Sequence, residues 1–62
     1  MKHFSNNVKY LREKAGLTQA ALGKLVGASR GSVAQYEGGN NYPKIDVLVN
    51  LANHFNIGMR SL

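Results

Sequence analysis

Apolar residues recur at helical spacing in four short segments of the 62-residue chain, and each segment ends at or beside a glycine. Ser5 or Asn6 can cap the first helix, which we expect to run to about Ala15 and to end at Gly16. Residues 1–4 are predicted to form a loose arm from which Phe4 folds back onto the helix. The predicted buried stripe of the helix is Val8, Leu11 and Ala15, followed by Leu17 in the core.

Residues 18–39 read as two further helices joined by a tight turn. Thr18 is a side-chain acceptor placed to cap the first of them, and Gly27 stops it where a left-handed residue is needed. Ser29 caps the second helix, which ends at Gly38 and Gly39. Their predicted apolar positions are Ala21, Leu22, Leu25 and Val26, then Val33 and Tyr36. Two helices this short match a helix-turn-helix unit over residues 18–37, the second helix of which enters the DNA major groove.

The segment Asn40 to Pro43 is rich in turn-forming residues, so a new helix should begin after the proline. We place that helix at about residues 45–55, with Asp46 favourably in its first turn. Its inward stripe is predicted to be Ile45, Leu48, Leu51, Ala52 and Phe55, with Val47 and Val49 partly covered. Residues 56–58 break it, and residues 59–62 can form a final turn. The pattern predicts one all-α domain, residues 1–62, of four or five helices without a strand.

Composition narrows the function classes. Eight Lys and Arg against three Asp and Glu give a net charge of +5, which favours a polyanion as partner, although many small proteins are basic for solubility. The absence of cysteine excludes disulfides and thiolate metal sites. No apolar run approaches the roughly 20 residues of a membrane span, and the N-terminus has no signal-peptide core. We therefore expect a cytoplasmic protein with no membrane association.

From about Phe4 to Leu62 the chain resembles the Cro/repressor-type helix-turn-helix family, also called lambda-repressor-like or xenobiotic-response-element proteins. The residues that carry the resemblance are Leu17, Thr18, Gln19, Gly23, Gly27, Val33 and Glu37, with Pro43, Leu48, Leu51, Ala52 and Ile57 downstream. It implies a compact four- to five-helix DNA-binding domain. The chain departs from the family pattern at Gly23, where alanine is usual, and at Lys44, where a capping Ser or Thr is common.

The first turns of the second motif helix should face the bases. The predicted base-contacting residues are Ser29, Arg30, Gly31, Ser32 and Gln35. The planar fork of Arg30 suits the O6 and N7 of guanine, with a phosphate clamp as the alternative, and the amide of Gln35 suits adenine.

The predicted phosphate contacts lie around the same edge of the domain as the predicted base contacts. The resemblance implies that Gln19 bonds a phosphate and braces a side chain of the recognition helix; the plainer interpretation is a polar residue at a helix start. The other candidates are Lys24, Asn40, Asn41, Tyr42 and Lys44, each of which could equally be only solvated. The resemblance also implies a partly buried ion pair between Arg12 and Glu37. The alternative is that the two charges are solvated separately.

These features predict sequence-specific binding of double-stranded DNA by a small Cro-like repressor, acting as a homodimer on a palindromic operator. The expected dimer contacts are Phe55, Ile57, Met59 and Leu62, all of which could instead be core. The alternative is an antitoxin or restriction-system controller that acts mainly through a protein partner. No nucleophile motif, metal-ligand spacing or phosphate loop is present, so we expect no enzyme activity, cofactor, metal or small-molecule ligand.

Overall fold

The computed structural model describes residues 3–59 and residue 62. In this part of the chain four helices follow one another without a strand: α1 (Phe4–Lys14), α2 (Gln19–Val26), α3 (Arg30–Glu37) and α4 (Ile45–His54). Helix α3 packs against both α1 and α2, and α4 packs against α2. The predicted all-α fold is confirmed, and the four helices of the described residues lie within the predicted number of four or five.

Helix α1 begins earlier than predicted. His3 is its N-cap, and it acts without a side-chain hydrogen bond, so neither Ser5 nor Asn6 caps the helix. Phe4 is not part of an arm: it is the first helical residue and is 1% exposed. Its ring centroid lies 6.5 Å from that of Tyr36 and 5.2 Å from that of Tyr42, and this aromatic packing holds the start of the helix against the body of the domain. The rest of the predicted arm, residues 1–2, lies outside the described residues.

The helix-turn-helix begins and turns where the sequence predicts. The Ala21 N–H donates to Thr18 Oγ1 over 3.0 Å, and the Ser32 N–H donates to Ser29 Oγ over 3.0 Å. Both hydroxyl groups thereby satisfy an N–H that has no partner within its own helix. Gly27 ends α2 with φ +81°, in the left-handed region that glycine enters without strain.

The turn between α2 and α3 is closed so tightly that it excludes a side chain at Gly23. The Gly23 carbonyl accepts hydrogen bonds from the N–H groups of Gly27 and Ala28, at 2.9 and 2.8 Å. A Cβ atom built on Gly23 would lie 2.4 Å from the carbonyl oxygen of Ala28. Glycine at this position is therefore matched to the close approach of the backbone.

Helix α4 is joined to the end of α2 by a hydrogen bond. Asn50 Nδ2 donates to the Val26 carbonyl over 3.1 Å, which satisfies one of the acceptors left open at the C-terminus of α2. Lys44 is the N-cap of α4 and makes no side-chain capping bond, while Asp46 lies in the first turn. The orientation of α4 is thus set by its buried face and by Asn50 rather than by its cap.

The buried core includes most of the predicted apolar residues; three of the others are exposed, and Leu11, Leu17, Ala21 and Phe55 are half-buried. Ala15 is exposed because it is the residue after α1. Leu25 is 51% exposed and Ile45 is 65% exposed. At 100° per residue, each lies about 90° or more around its helix from the centre of the buried face. The buried residues are Phe4, Val8, Leu22, Val26, Val33, Tyr36, Val47, Leu48, Leu51, Ala52 and Leu62.

The prediction for the two valines of α4 needs revision, whereas the bond between the ends of the C-terminal segment agrees with the predicted final turn. Val47, expected to be partly covered, is buried, whereas Val49 is 38% exposed. The Leu62 N–H donates to the Met59 carbonyl over 3.3 Å, which forms a turn there. Residues 60–61 of the predicted final turn lie outside the described residues.

Candidate nucleic-acid interface

Helix α3 presents a polar face to solvent and an apolar face to the core. Arg30, Gly31 and Gln35 are exposed, whereas Val33 and Tyr36 are buried. Positions 30, 31 and 35 share one side of a helix, so three of the five predicted base-contacting residues lie together on this surface. This surface carries no acidic side chain in its first turn.

The two serines at the start of α3 form a local hydrogen-bonded unit. Ser29 Oγ accepts the Ser32 N–H and donates its own proton to Ser32 Oγ over 2.9 Å. The Ser29 proton is therefore already used, and the Ser32 hydroxyl proton is the one directed elsewhere. Ser29 is exposed and Ser32 is half-buried.

Arg12 of α1 and Glu37 of α3 form a bidentate ion pair. Arg12 Nε lies 2.6 Å from Glu37 Oε2, and Arg12 Nη2 lies 3.0 Å from Oε1. A third donor, Arg12 Nη1, bonds the Leu17 carbonyl over 2.8 Å. The side chains are only 13% and 5% exposed, so water screens this pair weakly. The hydrogen bond to Glu37 raises the pKa of the Arg12 guanidinium, against the opposing effect of burial.

Gln19 completes this cluster from the start of α2. Its Nε2 donates to Glu37 Oε1 over 3.2 Å, so one carboxylate receives bonds from α1 and α2 while belonging to α3. The α3 side chain that Gln19 bonds is thus Glu37, which is nearly buried at the end of the helix, and not one of the exposed residues predicted to contact bases. One Nε2 hydrogen of Gln19 and its backbone N–H remain, and both are donors of the kind that phosphate accepts.

The loop after α3 holds exposed polar residues that lie beside the exposed face of this helix. Asn41 Oδ1 accepts the Tyr42 N–H over 3.0 Å, and Asn41 Nδ2 donates to Gln35 Oε1 over 3.4 Å. The sequence reasoning missed this contact, because six residues and a chain reversal separate its partners. The other predicted phosphate contacts, Lys24, Asn40, Tyr42 and Lys44, are all exposed.

The predicted dimer surface must be revised at one residue. Leu62 is 2% exposed and belongs to the core of the single chain, so its side chain is not available to a second copy. Phe55 and Ile57 are half-buried and pack against that core, and Met59 is 40% exposed. Ile57 also lines a shallow cavity of about 230 Å³ with Asn7, Tyr10 and Leu11.

Within residues 3–59 and residue 62, no group of three or more His, Cys, Asp or Glu side chains is arranged to hold a metal ion. The helices there are too short and too polar for any of them to cross a bilayer.

A family model for the helix-turn-helix matches residues 8–62. The chain belongs to the lambda-repressor-like helix-turn-helix family. The predicted family is therefore confirmed, and its fold is that of DNA-binding regulators. Comparison with the curated proteins finds no match.

Solved structures of helix-turn-helix proteins superpose on most of the chain. The P22 c2 repressor in complex with synthetic operator 9T is 28% identical, with a TM-score of 0.86 over 90% of this chain and 85% of that one. The restriction-modification controller C.AhdI from Aeromonas hydrophila is 29% identical, with a TM-score of 0.82 over 94% and 88%.

A third structure, Bacillus thuringiensis PlcR in complex with the peptide PapR7 and DNA, is 27% identical with a TM-score of 0.84. The match covers 97% of this chain and 21% of PlcR, so the likeness concerns one part of that longer protein.

Proposed function

We propose that this helix-turn-helix protein is a small Cro-like transcriptional repressor that binds double-stranded DNA in a sequence-specific manner in the cytoplasm. The observation that carries the proposal is the exposed face of α3, where Arg30, Gly31 and Gln35 lie away from the buried Val33 and Tyr36, with the half-buried Ser32 at its border. The similar P22 c2 repressor was solved on operator DNA, which supports the same mode of binding here.

The rigid attachment of α3 supports a reading role. Its start is capped by Ser29, and its end carries Glu37, which is bonded to both Arg12 and Gln19. A recognition helix that is held at both ends loses little further conformational entropy when it docks on DNA. More of the favourable free energy of each base contact therefore contributes to affinity. Arg30 is the proposed reader of guanine, and Gly31 lets the helix backbone approach the groove closely.

The basic charge of the chain supplies the sequence-independent part of binding. Gln19 at the start of α2, with Lys24, Asn40, Tyr42 and Lys44, is proposed to contact phosphates, which position the protein without specifying sequence. Each phosphate neutralised by a lysine or arginine adds to the salt dependence, so binding should weaken steeply as salt rises.

A dimer on a palindromic operator is the proposed active form, because a single helix reads too few bases for high specificity. Half-sites would lie one helical turn apart, about 34 Å. The proposed contacts between subunits are Phe55, Ile57 and Met59, which follow α4 in the sequence and are not fully buried in the core. This repressor would act by occluding a promoter.

The experiment that tests the proposal is selection of binding sites from random duplex DNA at about 150 mM salt, where surface charges are screened within about 8 Å. Enrichment of an imperfect palindrome with centres one turn apart would support a dimeric regulator, whereas an unpaired half-site would refute the dimer. Absence of any enriched sequence, with binding that disappears as salt rises, would refute sequence-specific recognition.

A restriction-modification controller is the second candidate function, favoured by the 29% identity to C.AhdI. Such a controller would also bind DNA, so selection alone does not separate the two. Locating the selected site does: a site upstream of genes for a restriction enzyme and its methyltransferase favours the controller, and a site elsewhere favours the repressor.

A further inference from the structure

Two hydrogen bonds connect the backbone of the loop after α3 to the amide of Gln35. The Tyr42 N–H donates to Asn41 Oδ1 over 3.0 Å, and Asn41 Nδ2 donates to Gln35 Oε1 over 3.4 Å. Asn41 and Gln35 are both exposed, and Gln35 lies on the proposed reading face. These bonds connect the Tyr42 backbone, through the Asn41 side chain, to the Gln35 side chain, which is placed to meet DNA.

The approach of Asn41 to Gln35 follows from the way α3 ends. Gly39 has φ +75°, which reverses the chain, and the Asn40 N–H donates to the Gln35 carbonyl over 3.0 Å. These contacts place residue 41 beside the last turns of the helix that it has just left. The position of Asn41 is thus set by backbone geometry and does not depend on the weak side-chain bond.

The Tyr42 N–H fixes the direction of both hydrogen bonds. A backbone N–H can only donate, so Oδ1 of Asn41 must face Tyr42 and Nδ2 must face Gln35. Oε1 of Gln35 then accepts from Asn41, and its two Nε2 hydrogens are left for another partner. An unbraced glutamine could instead rotate its amide by about 180° and offer an acceptor, because the two orientations are similar in shape.

We infer that Asn41 is a specificity-determining residue that positions the Gln35 amide with its N–H donors towards the base edge. This inference rests on the proposed function. The oriented amide selects a base with an acceptor in the major groove, such as a purine N7 or the O4 of thymine, and disfavours cytosine, which offers the N4 donor there. The bond is long in the free protein, and exclusion of water by bound DNA strengthens it.

The decisive variant is Asn41→Asp, because a carboxylate has no hydrogen to donate. One oxygen keeps the Tyr42 N–H, and the other can only accept, so Gln35 must turn its Nε2 towards it and its Oε1 towards the base. The preference at the Gln35 position should then shift towards cytosine by about tenfold relative to the native protein, the effect of one well-placed hydrogen bond.

Asn40→Asp is the matched control, since it adds the same negative charge one residue away on the same exposed loop. Both variants should lose affinity for all sequences through repulsion from phosphate, but Asn40→Asp should keep the native base preference. Gln35→Ala identifies the base pair concerned, as the position where discrimination is lost. In the Gln35→Ala background, Asn41→Asp should change no base preference.

The test is selection of binding sites followed by competition binding, with thermal unfolding of each variant to confirm that it folds. A shift towards cytosine in Asn41→Asp alone supports the inference. An unchanged preference in Asn41→Asp, or the same shift in Asn40→Asp, overturns it. So does a Gln35→Ala variant that keeps every preference, although sequence-specific binding would then still stand. If the native protein enriches no sequence, the proposed function itself fails.

Discussion

Two glycines of the helix-turn-helix should respond in opposite ways to alanine. Gly23 in α2 is buried, and a Cβ there would lie 2.4 Å from the Ala28 carbonyl oxygen and 3.3 Å from two backbone carbons, those of Ala28 and Ser29. Gly31 in α3 is exposed, and the nearest atom to its Cβ would be Ser29 Oγ at 3.9 Å. The same substitution thus meets backbone at one position and open space at the other.

The magnitudes follow from two opposing terms. Alanine is about 1 kcal/mol more favourable than glycine inside a helix, and at Gly31 nothing opposes this gain. At Gly23 the methyl group and the Ala28 carbonyl must separate by about 1 Å, and such overpacking costs about 1–3 kcal/mol. The atoms that must move belong to a turn closed by the bond from the Ala28 N–H to the Gly23 carbonyl, so the upper part of that range applies.

We therefore expect Gly31→Ala to raise the free energy of unfolding by about 1 kcal/mol and Gly23→Ala to lower it by about 1–2 kcal/mol. For a domain of this size each kcal/mol moves Tm by about 4–8 °C. Thermal and urea unfolding followed by far-UV circular dichroism measure both changes. A Gly23→Ala protein as stable as Gly31→Ala would refute the reasoning, because the turn would then have relaxed without cost.

Three further substitutions test other contacts. Glu37→Ala should lower the free energy of unfolding by about 3 kcal/mol, because it leaves the nearly buried Arg12 guanidinium unpaired; urea denaturation that shows a loss below about 1 kcal/mol contradicts this. Asn50→Ala should lower the free energy of unfolding by about 1–2 kcal/mol, because it removes the hydrogen bond to the Val26 carbonyl at the end of α2. Asn53→Ala, at an exposed position of the same helix, should lower it little. Arg30→Ala should weaken binding to a selected operator by about 1–3 kcal/mol; an equal loss on random duplex DNA would make it a phosphate contact.

Short-range chemistry made the helix boundaries of the motif predictable. A hydroxyl before an apolar run and a glycine after it specify where α2 starts and stops, and the Thr18 and Gly27 geometries agree with this. At the start of α1 that chemistry is absent, and there the prediction failed. His3 starts α1 without a capping bond, because the aromatic contacts of Phe4 replace one.

Helical spacing identified the amphipathic helices but not the arc of each that is buried. Leu25 and Ile45 lie at helical spacing from the buried residues of α2 and α4. They are exposed because they lie outside the arc of each helix that packs against its neighbours. Asn50 shows the converse. A polar residue on an amphipathic helix is predicted to be solvated, and only the packing of α4 on α2 shows that Asn50 bonds the Val26 carbonyl.

The candidate site divides along the same line. The residues exposed on α3 could be chosen from sequence, because one helix face depends only on the period and on the buried partners Val33 and Tyr36. Contacts made by the turn that follows could not, because the approach of Asn41 to Gln35 needs the reversal at Gly39. The sequence therefore predicts which side chains of α3 are exposed, but not the contact that Gln35 makes with the following loop.

The Arg12–Glu37 pair connects the stability of the fold to the proposed phosphate contact. Gln19 bonds the same carboxylate that Arg12 holds, so the amide at the start of α2 is positioned by an ion pair between α1 and α3. Loss of the pair would leave Gln19 without its partner as well as leaving a charge unpaired. If Gln19 contacts a phosphate as proposed, the nearly buried Arg12 positions that contact indirectly, and changes at position 12 should lower stability and weaken DNA binding together.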